Sequence, residues 1–154
     1  MRSTESGFNE LVYLAAAQEH LPVAEQLLLA QRYVPASYLA GVAVESILLA
    51  YQTRAGNAHD AGHDLFRLAE NGHFWDGMSR RQKQAISGEL NEVALRWRNN
   101  HRYRSERAFR SWLTANRLFR IGGLSTTVQD VVVFNAERLM DSAQRVVEVG
   151  VARW

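Results

Sequence analysis

His101 stands in the segment RWRNNHRYRSERAFRSW, residues 96–112, among Arg96, Arg98, Arg102, Arg104, Arg107 and Arg110. Arginine forks grip phosphate oxygens bidentately, and Trp97, Tyr103, Phe109 and Trp112 interleave rings on which bases can stack. A histidine ringed by guanidinium groups has its protonated form disfavoured and stays neutral near pH 7. Beside a phosphate, such a group can take the proton of a ribose 2′-hydroxyl while arginine steadies the charge on a pentacoordinate phosphorus. In that chemistry His101 is the base, Arg96 the stabiliser with Arg98 or Arg102 beside it, and Asn99 or Asn100 an orienting amide. Arg98, Arg102, Arg104 and Arg110 are candidate nucleic-acid contacts. The bland alternative is an aromatic core beneath a solvated arginine face.

The charge distribution supports an acidic partner. Of 18 basic residues all but Lys83 are arginine, and eight of them fall in residues 96–120 against the single acid Glu106, a local charge of +7. The remainder holds 10 basic and 15 acidic residues, or −5, so the net +2 conceals a polarised chain. A block of like charge repels itself unless something anionic meets it, and nucleic acid is the commonest such partner.

Two other motifs carry weaker chemistry. His59, Asp60, His63 and Asp64 form HDAGHD, whose histidines four apart would suit zinc on a helix. Gly56 and Gly62 favour a loop instead, with Asp64 or His63 capping the next helix, so no metal is expected. The segment IGGLSTT, residues 121–127, precedes a helix but lacks the lysine and spacing of a P-loop, and reads as a helix stop followed by a cap. With no cysteine in the chain, disulfides, thiolate zinc sites and cysteine nucleophiles are excluded. No cofactor fingerprint is present. No apolar run approaches membrane-spanning length and the N-terminus lacks a signal-peptide core, so the expectation is a cytoplasmic protein without a membrane partner.

The elements that must position these residues read as helices throughout. At 154 residues the chain suits one domain, residues 1–154. Apolar residues recur at helical spacing over 8–32, where Pro22 should kink or split the helix, and again from 35 to 54. The second stretch, rich in Ala and Gly, should be the central and most buried helix. Asp64 opens a short helix that stops at Asn71 and Gly72. Ser79 with Gln82 makes a capping box for a helix reaching at least Arg96, and Ser105 caps another. Thr126 with Gln129 makes a second capping box, before a last helix from Val128 to about Ala152. VVVF and VVEV within it would suit strands in isolation, yet the flanking period favours helix. The expected fold is all-α, an up-and-down bundle of five to six helices.

Three features in this order resemble the HEPN superfamily of small helical bundles: YLAGVAVESILLAYQTRAG (residues 38–56), AGHDLFRLAE (61–70) and LRWRNNHRYR (95–104). The first is similar to that family's small-residue central helix and the second to the GHDL opening of its short third helix. The third is similar to its tryptophan followed by an arginine–tyrosine pair, here Trp97 and Arg102-Tyr103. Many members are metal-independent endoribonucleases with an arginine, four to six residues, then a histidine, two copies meeting across a dimer to complete the site. The resemblance thus implies an HEPN-like bundle, a homodimer, an RNA substrate and a role for Arg96 and His101. The spacing also occurs in Arg54 with His59 and Arg67 with His73. It further implies a toxin or defence setting, with a nucleotidyltransferase or antitoxin partner. Two readings stay open: a ribonuclease, or a non-catalytic HEPN module that dimerises and binds RNA or such a partner.

Overall fold

The computed structural model describes residues 9–56, 62–118, 120–121, 124–125 and 130–154. It is an all-α bundle of six helices: α1 (Glu10–Leu29), α2 (Tyr33–Arg54), α3 (Leu65–Asn71), α4 (Arg80–Arg96), α5 (Glu106–Ala115) and α6 (Val131–Ala152). A single 3₁₀ turn, Asn99–Tyr103, joins α4 to α5, and a two-residue antiparallel ladder pairs Arg120 with Ser125 and Ile121 with Leu124.

Five of the six helices begin where a short polar side chain satisfies free N–H groups of the first turn, whereas α2 starts at Tyr33 with no side-chain cap. Asn9 accepts from Leu11 and Val12, Asp64 from Arg67, Ser79 from Gln82, and Ser105 from Ala108. The last helix is capped by Asp130, which accepts from Val132, and therefore starts at Val131 rather than Val128. Thr126 and Gln129, the expected capping box, lie outside the described residues, as do Gly122, Gly123 and Thr127 of the candidate phosphate loop. VVVF and VVEV are helical. Pro22 does not split α1, which runs unbroken from Glu10 to Leu29. Proline removes one backbone hydrogen bond, and the buried Leu21 and Ala24 on either side hold the helix against α2 regardless.

The central helix is α2, as its composition foretold. Ala36, Ala40, Ala43, Val44, Ile47, Leu48 and Ala50 are all solvent-free, and α1, α3, α6 and the 3₁₀ turn pack around it. Among the described residues it alone is long and apolar enough to cross a membrane, and here it is the buried axis of a bundle. A small residue is required where the candidate segment meets this helix: a Cβ on Gly41 would sit 2.0 Å from the Trp97 ring. The missing side chain admits an indole to the helix surface, where Trp97 Nε1 donates to the Tyr38 carbonyl at 3.1 Å.

Apolar burial divides into two clusters. The larger joins α1, α2, α3, α4 and α6. The smaller gathers Phe109, Leu113, Leu118 and Val132 under α5, with Tyr33, Val34 and Trp112 against it. The segment that carries the candidate chemistry, residues 96–104, lies between them.

Candidate nucleic-acid interface

Arg96 ends α4 and turns inward. It is 3% exposed. Its Nε donates to Glu92 Oε2 at 3.0 Å, one helical turn back, and its Nη1 to the Leu118 carbonyl at 2.9 Å and Asn135 Oδ1 at 3.3 Å. The guanidinium also lies 5.3 Å from the Phe134 ring centroid. Burial lowers its pKa, and the Glu92 carboxylate opposes that effect. Leu118 belongs to the small cluster and Asn135 to α6, so Arg96 ties α4 to both. Its donors serve the fold.

His101, 2% exposed, is the second tie. Its ring meets Trp112 edge-on at 4.5 Å and Phe109 at 5.0 Å. The Arg98 backbone N–H donates to His101 Nδ1 at 3.2 Å, which places the proton of the neutral ring on Nε2. That Nε2 has no hydrogen-bond partner among the described residues. Burial first, then the charges of Arg104 and Arg98, lowers the His101 pKa to about 4. The imidazole is neutral at pH 7, as the sequence suggested, although burial rather than arginine charge leads.

A pH dependence of stability follows, with a definite sign. A histidine whose pKa falls from about 6.5 to about 4 on folding binds its proton more readily in the unfolded chain. Its contribution is therefore complete above pH 6.5 and is lost as pH falls toward 4. Between pH 7 and pH 5 the loss is about 2 kcal/mol. Urea unfolding at those two pH values should show it, and His101→Gln should remove this part of the difference.

The remaining arginines face outward. Arg98 and Arg102 are exposed, Arg107 is exposed on α5, and Arg104 is half-buried. Among the described residues none of these four pairs with a carboxylate. Arg98 Nη1 donates to the Trp97 carbonyl at 2.8 Å and to the Ala94 carbonyl, with the guanidinium 5.6 Å from the Trp112 ring centroid. Its Nε and Nη2 remain as donors. Arg102 lies 4.7 Å from the ring centroid of Tyr103, itself 76% exposed, and a hydrogen bond with Tyr38 raises its pKa. Arg110 differs: it pairs with Asp130 and, at 3.2 Å, with Glu106, so its charge is matched within the fold.

Two adjoining cavities open beside the 3₁₀ turn. One, of about 240 Å³, is lined by Val34, Pro35, Tyr38, His101, Arg102 and Arg104. The next, of about 430 Å³, shares Val34, Pro35 and Arg104 and adds Arg32, Tyr33 and Glu106. Together they form a groove between the α1–α2 turn and residues 101–106, with three arginines and two tyrosines along it. Arg104 Nε, like His101 Nε2, is a buried donor without a protein partner. Asn99 is on the other side of the turn, in a separate cavity with Arg98, His63 and Asp64. The structure thus gathers His101, Arg102 and Arg104 at one groove, sets Arg98 and Asn99 at another, and buries Arg96 between helices.

The sequence did not foretell the groove wall contributed by Arg32, Tyr33 and Tyr38, which is distant along the chain. It also missed the pairing of His63 Nδ1 with Glu45 of α2. A readable signal for that pair existed: Glu45 is the one acid within the otherwise apolar stretch VAVESILLA. His59 and Asp60 lie outside the described residues. Compared with known family models, curated proteins and solved structures, the chain matches none.

Proposed function

We propose that the chain is an HEPN-like, RNA-associated helical module that holds RNA phosphates on the arginines around the 3₁₀ turn. One observation carries this reading: Arg102 and Arg104, without a carboxylate partner among the described residues, line a groove that also holds Tyr33 and Tyr38, and Arg98 stands without one on the other side of the 3₁₀ turn. Guanidinium groups left without internal anions suit external ones, and tyrosine faces suit unstacked bases. A homodimer belongs to the same reading, supported by Leu11, Val12, Val23 and Leu29 exposed along α1. A nucleotidyltransferase or antitoxin partner is the alternative occupant of that apolar face, and the cytoplasm is the compartment such a module suits.

A metal-independent endoribonuclease is the second reading, favoured by the presence of His101 with its free Nε2–H on the wall of the 240 Å³ cavity. There the Nε2–H of a neutral His101 would donate to a phosphate or leaving-group oxygen, since Nδ1 already accepts from the Arg98 N–H and no lone pair is left to take the 2′-hydroxyl proton. The buried engagement of Arg96 in four protein contacts weighs toward binding without cleavage.

Labelled single-stranded RNA incubated with the protein in EDTA separates the two readings. Retarded but intact RNA is the expected result. Cleavage that disappears in His101→Gln would establish the nuclease instead, and RNA that is neither retarded nor cut would remove both.

A further inference from the structure

Beyond the groove, on the far side of the 3₁₀ turn, a cavity of about 260 Å³ is lined by His63, Asp64, Trp97, Arg98 and Asn99 among others. Its volume is below the roughly 300 Å³ at which pockets begin to enclose a drug-sized ligand, which suits a sugar-phosphate unit. Trp97, 2% exposed, supplies an apolar wall. The wall facing it is held in place: His63 Nδ1 pairs with Glu45, and the His63 ring meets Trp97 edge-on at 6.4 Å.

The polar groups are of two kinds. Arg98 retains Nε and Nη2 as donors, and Asn99 adds an amide, a pairing suited to phosphate oxygens. Asp64 is acceptor-only. Its Oδ1 takes the Arg67 backbone N–H at 3.1 Å as the cap of α3, which leaves Oδ2 able to accept again. A bare anion would be repelled by that carboxylate. A ligand carrying a hydroxyl beside its phosphate satisfies both kinds of group at once, and a ribose with its adjoining phosphate is such a ligand.

We infer that this cavity is a ribose-reading subsite, in which Asp64 accepts a hydrogen bond from an RNA 2′-hydroxyl while Arg98 and Asn99 hold the neighbouring phosphate. The inference rests on the RNA-binding reading above, and adds to it a preference for RNA over DNA. Arg98 links this subsite to the arginine face, so a strand crossing the 3₁₀ turn meets phosphate contacts on both sides.

Asp64→Asn tests it with little disturbance to the fold, since asparagine caps a helix as well as aspartate does. The protein and the variant are titrated with single-stranded RNA and DNA oligomers of matched sequence, read by fluorescence anisotropy. The wild type should bind RNA about tenfold more tightly than DNA, the scale of one hydrogen bond to a charged group. Asp64→Asn should bring the two affinities within about threefold. The ratio is the readout, because removing a negative charge raises affinity for both oligomers alike. A wild type indifferent to sugar, or an Asp64→Asn protein that keeps the full preference, would overturn the subsite while leaving RNA binding intact. Failure to bind either oligomer would remove the RNA-binding reading, and the subsite with it.

Discussion

Replacing Arg96 with methionine should lower unfolding stability by about 3 kcal/mol, the largest effect of any single arginine substitution in the basic segment. Methionine fills much of the same volume but leaves the Leu118 carbonyl and Asn135 Oδ1 without their donor. Glu92 also loses its nearest cation, at 3.0 Å, and keeps only Arg138 at 3.6 Å. Removing one member of a buried pair costs about 3–5 kcal/mol, and the partial exposure of Glu92 places this case at the lower end. Denaturant unfolding measures it. Glu92→Gln in the same protein should restore part of the loss, because it removes the stranded charge. Arg98→Gln, which gives up only contacts to backbone carbonyls and the Trp112 face, should cost about 1 kcal/mol or less. The contrast separates an arginine that holds two clusters together from one that faces solvent.

The second large effect is on binding. Arg98→Gln, Arg102→Gln and Arg104→Gln combined should weaken RNA affinity by about 100-fold at low salt, with on the order of 1 kcal/mol lost per phosphate contact. None of the three has a carboxylate partner among the described residues, so the variant should keep its helix content and most of its stability. Arg110→Gln offers the comparison. Its guanidinium is matched by Asp130 and Glu106, so its loss should change RNA affinity far less than an average third of the triple effect.

Most of the fold is legible in local pattern. Caps at Asp64, Ser79 and Ser105, the apolar stripe of α2 and the inward turn of Trp97 and Phe109 follow from spacing within one or two turns. What depends on distant packing is not legible. Pro22 reads as a break because its local cost is plain, whereas the α2 surface that carries α1 past it is not adjacent in sequence. Asp130 was hidden as a cap by a better-looking box at Thr126 and Gln129.

The candidate site shows the same division. That His101 is neutral was readable from nearby arginines. Its burial was not, because Phe109 and Trp112 reach it only once α5 folds back. For Arg96, the i, i+4 spacing from Glu92 was a visible hint of an internal partner, while Leu118 and Asn135 were beyond any local pattern. The +7 block therefore contains two populations, arginines that hold helices together and arginines that face outward, and sequence alone does not sort them.

The salt dependence of RNA binding is the most direct test that the outward-facing arginines hold phosphates. Each contact to a single strand contributes about −0.7 to the slope of log affinity against log salt. The wild type should show a steep negative slope, and the Arg98, Arg102 and Arg104 triple variant one shallower by about 2. Equal slopes for the two proteins, or a wild-type affinity indifferent to salt, would contradict it.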